Sequence, residues 1–452
     1  MDRYPTVAEV TESARRLVDR FPGTGRLRRV GTSRAGRPLL MLSVGHGPRH
    51  VLVVGRPHPD EPVGGATALA VAELVARGDG PSPATDPTFA TWDILLCLDP
   101  DGAALSEGVA RVSSGGASPT LAGYYRAAFR PVAAEQPEWA PIVERQLPES
   151  QALFQVIDEV RPFLQCSLHS VDAGGSWTQL TRDLPELAAP FAKSARALGV
   201  PLQHGTYDAL YWDNPAPGVH VLPPPGSTAR LAAGSENFER STWCAPARYG
   251  GATAIIEVPM WATDLADDTS AHPDAARALR NLSGLVREGG RRVTAVFDKA
   301  RGFLPPAGES PPRRVLEWMA EDLYDLVADS WAPLARRAAD PAGGPAHRLT
   351  TAQVCALDVV ARRQPLRAAG LLLRLLEEAD DRSAPALHRE LEELFTTWCA
   401  EFEQALDLRW VPVATQVEHQ TRTVVAAADS ALRALGHQGA GPAAGPRAQA
   451  SS

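Results

Sequence analysis

Two histidines and two glutamates carry the chemistry open to this sequence. His58 and Glu61 stand three residues apart, just after the apolar run at residues 51–54. His169 closes a second apolar run, PFLQCSLHS, and Glu257 lies near the end of another, GGATAIIEVPMW. Two imidazoles and one carboxylate leave the fourth position of a tetrahedral zinc open, which is the ligand count of a catalytic site and not of a structural one. Glu257 is then the separate carboxylate that moves a proton. A carboxylate in an apolar strand is costly unless it is paired or has work to do. The His-x-x-Glu spacing alone is not specific: with 11 His and 53 acidic residues in 452, chance supplies roughly one His-x-x-acid pair. The specificity comes from the order of the four residues and from the strands that carry them.

Those strands can be read from the pattern. VLVVGRPHPDEPVGG, residues 51–65, is a buried strand, a turn bearing polar groups, and the opening of a helix at residues 66–76. In an open α/β sheet ligands bind at the carboxyl ends of strands. Upstream, residues 6–20 form a helix capped by Thr6, and LRRVGTSRAGRPLLMLSVG is a hairpin turning at Arg34, Ala35 and Gly36. WDILLCLDPDG is a strand ending in a sharp turn, and residues 103–150 read as irregular. A helix at residues 151–160 leads to the strand ending at His169. Residues 171–250 read as long loops around one helix at 187–198, with Trp177 and the DAGGSW segment walling a pocket. Ser170 and Asp172 are candidates to orient a ligand imidazole. Strands interleaved with helices predict an α/β domain with a mixed, largely parallel sheet flanked by helices.

FLPPAGESPPRR marks a junction at residues 303–313. Beyond it, residues 314–436 are helical by period, with an apolar stripe on each helix, and form an all-helical module. The expected division is a catalytic domain at 1–304, this module at 305–436, and a disordered low-complexity tail at 437–452. The module could cover the cleft, limit substrate length or join copies of the chain in a homo-oligomer.

The net charge of −8, with acidic and basic residues interleaved, argues against nucleic acid as a partner. No apolar run reaches the ~20 residues needed to span a bilayer. The amino terminus is charged and amphipathic, unlike a secretory leader, so the expected location is cytoplasmic. The five cysteines, widely spaced and without a Cys-x-x-Cys pair, indicate neither a disulfide framework nor a thiolate zinc site.

The whole set, in order, resembles the zinc carboxypeptidase family of the carboxypeptidase A type. HPDE at 58–61 matches its His-x-x-Glu, DPDG at 99–102 its Asn-Pro-Asp-Gly turn, LHS at 168–170 its third-ligand segment, and IIEVP at 255–259 its catalytic-glutamate strand. The likeness runs over about residues 4–300. It implies an eight-stranded mixed sheet, one zinc per chain on His58, Glu61 and His169, and Glu257 as general base. It also implies a peptide substrate that loses its C-terminal residue. The family polarises the scissile carbonyl with an arginine and holds the substrate carboxylate with an Asn-Arg pair and a second arginine. No Asn-Arg pair follows DPDG here. Arg130 is the expected catalytic arginine, with Arg126 and Arg111 as substrate-binding alternatives. Tyr249, with Tyr207 and Tyr211 behind it, is the candidate for the family's mobile tyrosine. The missing pair keeps open an amidohydrolase of the same fold acting on an N-acyl amino acid or modified peptide. A non-catalytic binding protein is the third reading, and the intact four-residue set argues against it.

Overall fold

A mixed sheet runs through the middle of the molecule, in a computed structural model that describes residues 2–78, 80, 82–112, 119–207, 209, 212–223, 238–340 and 348–439. Its strands are β1 (Gly25–Thr32), β2 (Pro38–Val44), β3 (Arg49–Val54), β4 (Ala90–Leu95), β5 (Leu164–Gly174), β6 (Trp177–Leu180), β7 (Asp213–Ala216), β8 (Val219–Val221), β9 (Ala252–Ala262) and β10 (Arg409–Trp410). The spatial order is β1-β2-β4-β3-β5-β9-β6-β8-β7, with β10 paired to β9. The centre, β4-β3-β5-β9, is parallel, while β2 joins β4 and β6 joins β9 antiparallel. The central strands read as continuous apolar runs because helices cover both faces. The described sheet therefore has nine strands along its path and a short tenth, against the eight expected. Strands β6, β7 and β8 fall where poor periodicity suggested only loops.

The helices are α1 (Val7–Arg20), α2 (Val63–Arg77), α3 (Pro100–Leu105), α4 (Glu107–Val112), α5 (Leu121–Ala127), α6 (Pro148–Val160), α7 (Ala188–Leu198), α8 (Ala275–Ala300), α9 (Pro311–Trp318), α10 (Tyr324–Ser330), α11 (Ala332–Ala339), α12 (Thr351–Glu378), α13 (Ala384–Ala405) and α14 (Val413–Gly439). Thr6 caps α1 in a reciprocal capping box with Glu9, as its sequence predicts. The β1–β2 hairpin turns at Gly36, whose φ of 84° suits a residue without Cβ. Among the described residues between 103 and 150 lie α4 and α5, one- to two-turn helices too short to show a period in the sequence. The tail from residue 440 lies outside the described residues.

The helices after residue 305 do not pack only on each other. One apolar cluster joins Leu121, Tyr124, Trp261 and Leu279 to Val315, Val327, Leu357 and Phe395, on both sides of the Pro-rich junction. The last helix, α14, packs against α2, α7 and β9. Its Val424, Ala427, Ala428 and Ala431 share a core with Val53, Val71 and Ile256. A small-residue stripe at i, i+3, i+4 and i+7 lets this helix lie close to the sheet.

Candidate metal centre

The turn between β3 and α2 delivers the first two polar groups. It is tight. Arg56 adopts a φ of 46°, and its buried guanidinium donates from Nε and Nη2 to the carbonyl of Pro59 across the turn. Gly64 lets the start of α2 approach: a Cβ there would lie 2.8 Å from the Arg56 nitrogen and 3.1 Å from the Leu168 carbonyl. The third group comes from the neighbouring parallel strand, because β5 carries His169 beside this turn.

His58 Nδ1 lies 3.0 Å from Glu61 Oε1, and His169 Nδ1 lies 2.9 Å from Glu61 Oε2. The two Nδ1 atoms are 3.2 Å apart. All three side chains are buried. Donors about 2.1 Å from a tetrahedral zinc sit roughly 3.4 Å from one another. The set fits a zinc ion, and by donor chemistry it is one metal site with two imidazoles and one carboxylate. Glu257 is the direct neighbour of His169 in the β5–β9 register, with its Oε1 4.0 Å from His169 Nδ1. Trp177 of β6 flanks Glu257 from the other side.

The site's own charges favour a cation. Burial lowers the pKa of His169, but Glu61 and Glu138 outweigh it and hold the imidazole well above the usual histidine value. His58 shifts down, first through burial and then through the charge of Arg130. Burial opposes ionisation of Glu61, yet His58, Arg130 and His169 together hold it well below the usual carboxylate range. Ligands must be deprotonated to take a metal, so metal binding at these residues would compete with protons.

Glu138 escaped the sequence reading. Its carboxylate lies 3.2 Å from His169 Nε2 and accepts from Ser167 Oγ at 2.7 Å. Ser167 Oγ also stands 3.0 Å from His169 Nε2, so the imidazole reaches Glu138 through that hydroxyl, and Nδ1 is left on the side of Glu61 and His58. Ser170 and Asp172 do not have the role expected of them. The Ser170 backbone N–H donates to Glu61, and Asp172 pairs with Tyr125, Arg363 and Arg367. No signal in residues 103–150 pointed to Glu138, which sits in turns between helices.

The expected arginines and tyrosine separate. Arg130 reaches the cavity, where Nε meets Asp60 Oδ1 at 2.9 Å and Nη2 contacts Glu61. Arg126 does not: it pairs with Glu377 and Glu392 on α12 and α13, over the ring of Phe395. Arg111 is exposed on α4 and away from the cavity lining. Tyr249 is also misplaced. Its hydroxyl donates to Asp158 on α6, between the guanidinium groups of Arg161 and Arg248. Tyr207 lines the cavity and stands edge-on to Trp331, while Tyr211 lies outside the described residues.

The cavity holds about 430 Å³, within the range of small-ligand sites. His58, Glu61, His169, Glu257 and Arg130 form its floor, and Trp139, Trp177 and Trp243 form its walls. Helices α9, α10 and α12 also contribute to its lining.

Residues 10–174 match the family model described as zinc carboxypeptidase, about a third of the chain. That segment contains all three candidate ligands, and it is zinc carboxypeptidase-family sequence. No curated protein matches the chain. Among solved structures, a metallo-carboxypeptidase from Burkholderia cenocepacia is 14% identical over 56% of this chain and 59% of its own, with a TM-score of 0.36. Carboxypeptidase A from Helicoverpa armigera is 18% identical over 57% of this chain and 65% of its own, at 0.37. Bovine thrombin-activatable fibrinolysis inhibitor, solved with a tick carboxypeptidase inhibitor, is 13% identical over 56% and 86%, at 0.36. The chain spans under two thirds of the length of the first two. At these scores the superpositions carry no argument, and the family rests on the sequence match.

Proposed function

We propose that this chain, whose residues 10–174 are zinc carboxypeptidase-family sequence, hydrolyses an amide bond, as a metallocarboxypeptidase releasing a C-terminal residue from a peptide. The observation that carries this reading is the convergence of His58, Glu61 and His169 beside Glu257 on one cavity floor. Zinc on the three ligands supplies a Lewis acid that polarises a carbonyl and acidifies water. The chain's own groups do the rest. The Glu257 carboxylate takes a proton from water and returns it to the leaving amine. Its placement is firm, because Ser176 Oγ donates to the Glu257 carbonyl at 2.7 Å and both neighbouring strands register on it. Arg130, tied by Asp60 and Glu61, holds a positive charge over the reacting carbonyl.

One observation supports the amidohydrolase variant of this reading. The cavity, at about 430 Å³, is of a size that suits a dipeptide or an N-acyl amino acid better than a long chain. Both variants share the same hydrolytic step. Glu257→Gln is expected to keep its zinc and lose at least ~10³-fold in kcat on dipeptide and N-acyl amino acid substrates alike. A Gln variant that retains wild-type turnover removes Glu257 from the mechanism.

A further inference from the structure

The elements that bear the metal ligands also carry two buried aspartates, and the charge that balances these comes from far along the chain. Asp60 lies between His58 and Glu61 in the turn after β3, and Asp172 lies three residues past His169 on β5. Both are buried. Tyr124 and Tyr125 of α5 donate to them, to Asp60 Oδ2 at 3.4 Å and to Asp172 Oδ2 at 2.7 Å. A hydroxyl satisfies a carboxylate oxygen but leaves its charge, and an uncompensated buried charge is strongly destabilising.

The compensation comes from α12, a helix outside the family-matched residues. Arg363 Nη1 lies 3.4 Å from Asp172 Oδ1. Arg367 reaches both aspartates, with Nη2 3.4 Å from Asp60 Oδ2 and 3.7 Å from Asp172 Oδ2. From Asp60 the ion pairs continue to Arg130 Nε at 2.9 Å, and from Arg130 Nη2 to Glu61. Arg363, Asp172, Arg367, Asp60, Arg130 and Glu61 thus make one chain of charges alternating in sign. Arginines four residues apart on a helix repel each other, and here Asp172 stands between them. Burial opposes ionisation of Asp172, yet Arg363 and Arg367 hold its carboxyl below the usual range.

Arg367 is the link that joins the turn bearing His58 and Glu61 to the strand bearing His169. Its helix is fixed in register. Gly370 packs so closely on α5 that a Cβ would sit 2.1 Å from the Tyr125 carbonyl oxygen, and Arg374 Nη2 donates to the Leu105 carbonyl at 2.9 Å. We propose that Arg367 is a positioning residue of this site: by holding Asp60 and Asp172 on one guanidinium, it makes Asp60 a fixed counter-ion that orients Arg130 in the cavity. The catalytic unit then includes α12, which a division at residue 304 would leave out. The proposal rests on the amide-hydrolase reading only where it gives Arg130 a part in turnover.

Proton–nitrogen NMR spectra of the arginine side chains test it in the zinc-loaded, full-length protein. The Arg130 Nε–H signal is assigned by its loss in Arg130→Lys, and in the wild type that buried group, beside Asp60, is sheltered from exchange with water. The signal is lost to exchange in Arg367→Met. It is retained in Arg374→Met, which loosens the same helix without touching the chain of charges. Arg367→Lys keeps the charge but not the two-point hold; it also loses the signal, and it decides the matter if Arg367→Met does not fold. A signal that persists in Arg367→Lys overturns the proposal. So does a wild type without a sheltered Arg130 signal, or loss of the signal in Arg374→Met, which would make the effect one of docking alone. Turnover is a separate arm. Arg367→Met is expected to lower kcat about 10- to 100-fold with KM little changed, and to cost nothing further in an Arg130→Met background. A loss that adds in full to that of Arg130→Met overturns the proposal. A wild type without turnover, with the exchange results as expected, overturns the hydrolase reading alone.

Discussion

His169 has a carboxylate on either side, Glu61 by Nδ1 and Glu138, behind Ser167, by Nε2. Its Nε2 meets Ser167 Oγ at 3.0 Å, which in turn donates to Glu138, and this chain turns Nδ1 toward Glu61 and His58. His58 has no such support, since its Nε2 is buried without a hydrogen-bond partner among the described residues. The site therefore leans on Glu138, and Glu138→Gln is expected to weaken zinc affinity about 10- to 100-fold, measured by competition with a chromophoric chelator. Unchanged affinity would show that the ring is oriented by packing alone. The four principal residues were legible because each closes or interrupts an apolar run, and an acid or imidazole at such a place has few bland explanations. Glu138 and Asp60 were not legible. Neither sits in a periodic segment, and their roles arise only when the turn after β3 meets the coil before α6.

At the scale of elements, the last helix supports the site from behind. Gln420 of α14 donates from Nε2 to the carbonyls of His169 and Ile256 at 2.7 and 3.0 Å, and it accepts from Thr67 of α2 at 2.7 Å. One side chain thus ties together the strands bearing His169 and Glu257 and the helix after the His58 turn. Gln420→Ala leaves these buried groups unpaired and should cost about 2–3 kcal/mol in urea unfolding, with weaker zinc binding. A wild-type midpoint would mean that the tie is redundant. The amphipathic period of α12 and α14 is plain in the sequence, and so is their helicity. Period gives a stripe but not the surface it meets. That is why Arg363, Arg367 and Gln420 read as ordinary helix residues until α12 is seen over the cavity and α14 against the sheet.

For the molecule as a whole, this arrangement ties stability to pH through buried histidines. His419 of α14 lies 2.8 Å from Ser194 Oγ and 3.0 Å from Ser176 Oγ, the same hydroxyl that donates to the Glu257 carbonyl. A neutral ring with its proton on Nε2 satisfies that chain. Burial pushes its pKa down to about 4, below the ordinary 6.5, and does the same to His220. A folded pKa below the unfolded one means that the stability is present above pH 6.5 and is lost as pH falls toward 4. Asp99, pushed up to about 6 by burial, works in the opposite sense over part of that range. The comparison that isolates the histidine is therefore wild type against His419→Gln. The loss of Tm between pH 6.5 and 4 should be shallower in the variant, and parallel curves would assign the acid sensitivity elsewhere.

Zinc content is the most direct test of the central claim, that residues drawn from two strands and one turn make a single catalytic metal site. Elemental analysis of the purified protein should find about one zinc per chain in the wild type and in Glu257→Gln, and close to none in His169→Ala. A wild type that holds no zinc and takes up none when it is supplied would contradict the account, as would a His169→Ala protein that keeps its full zinc.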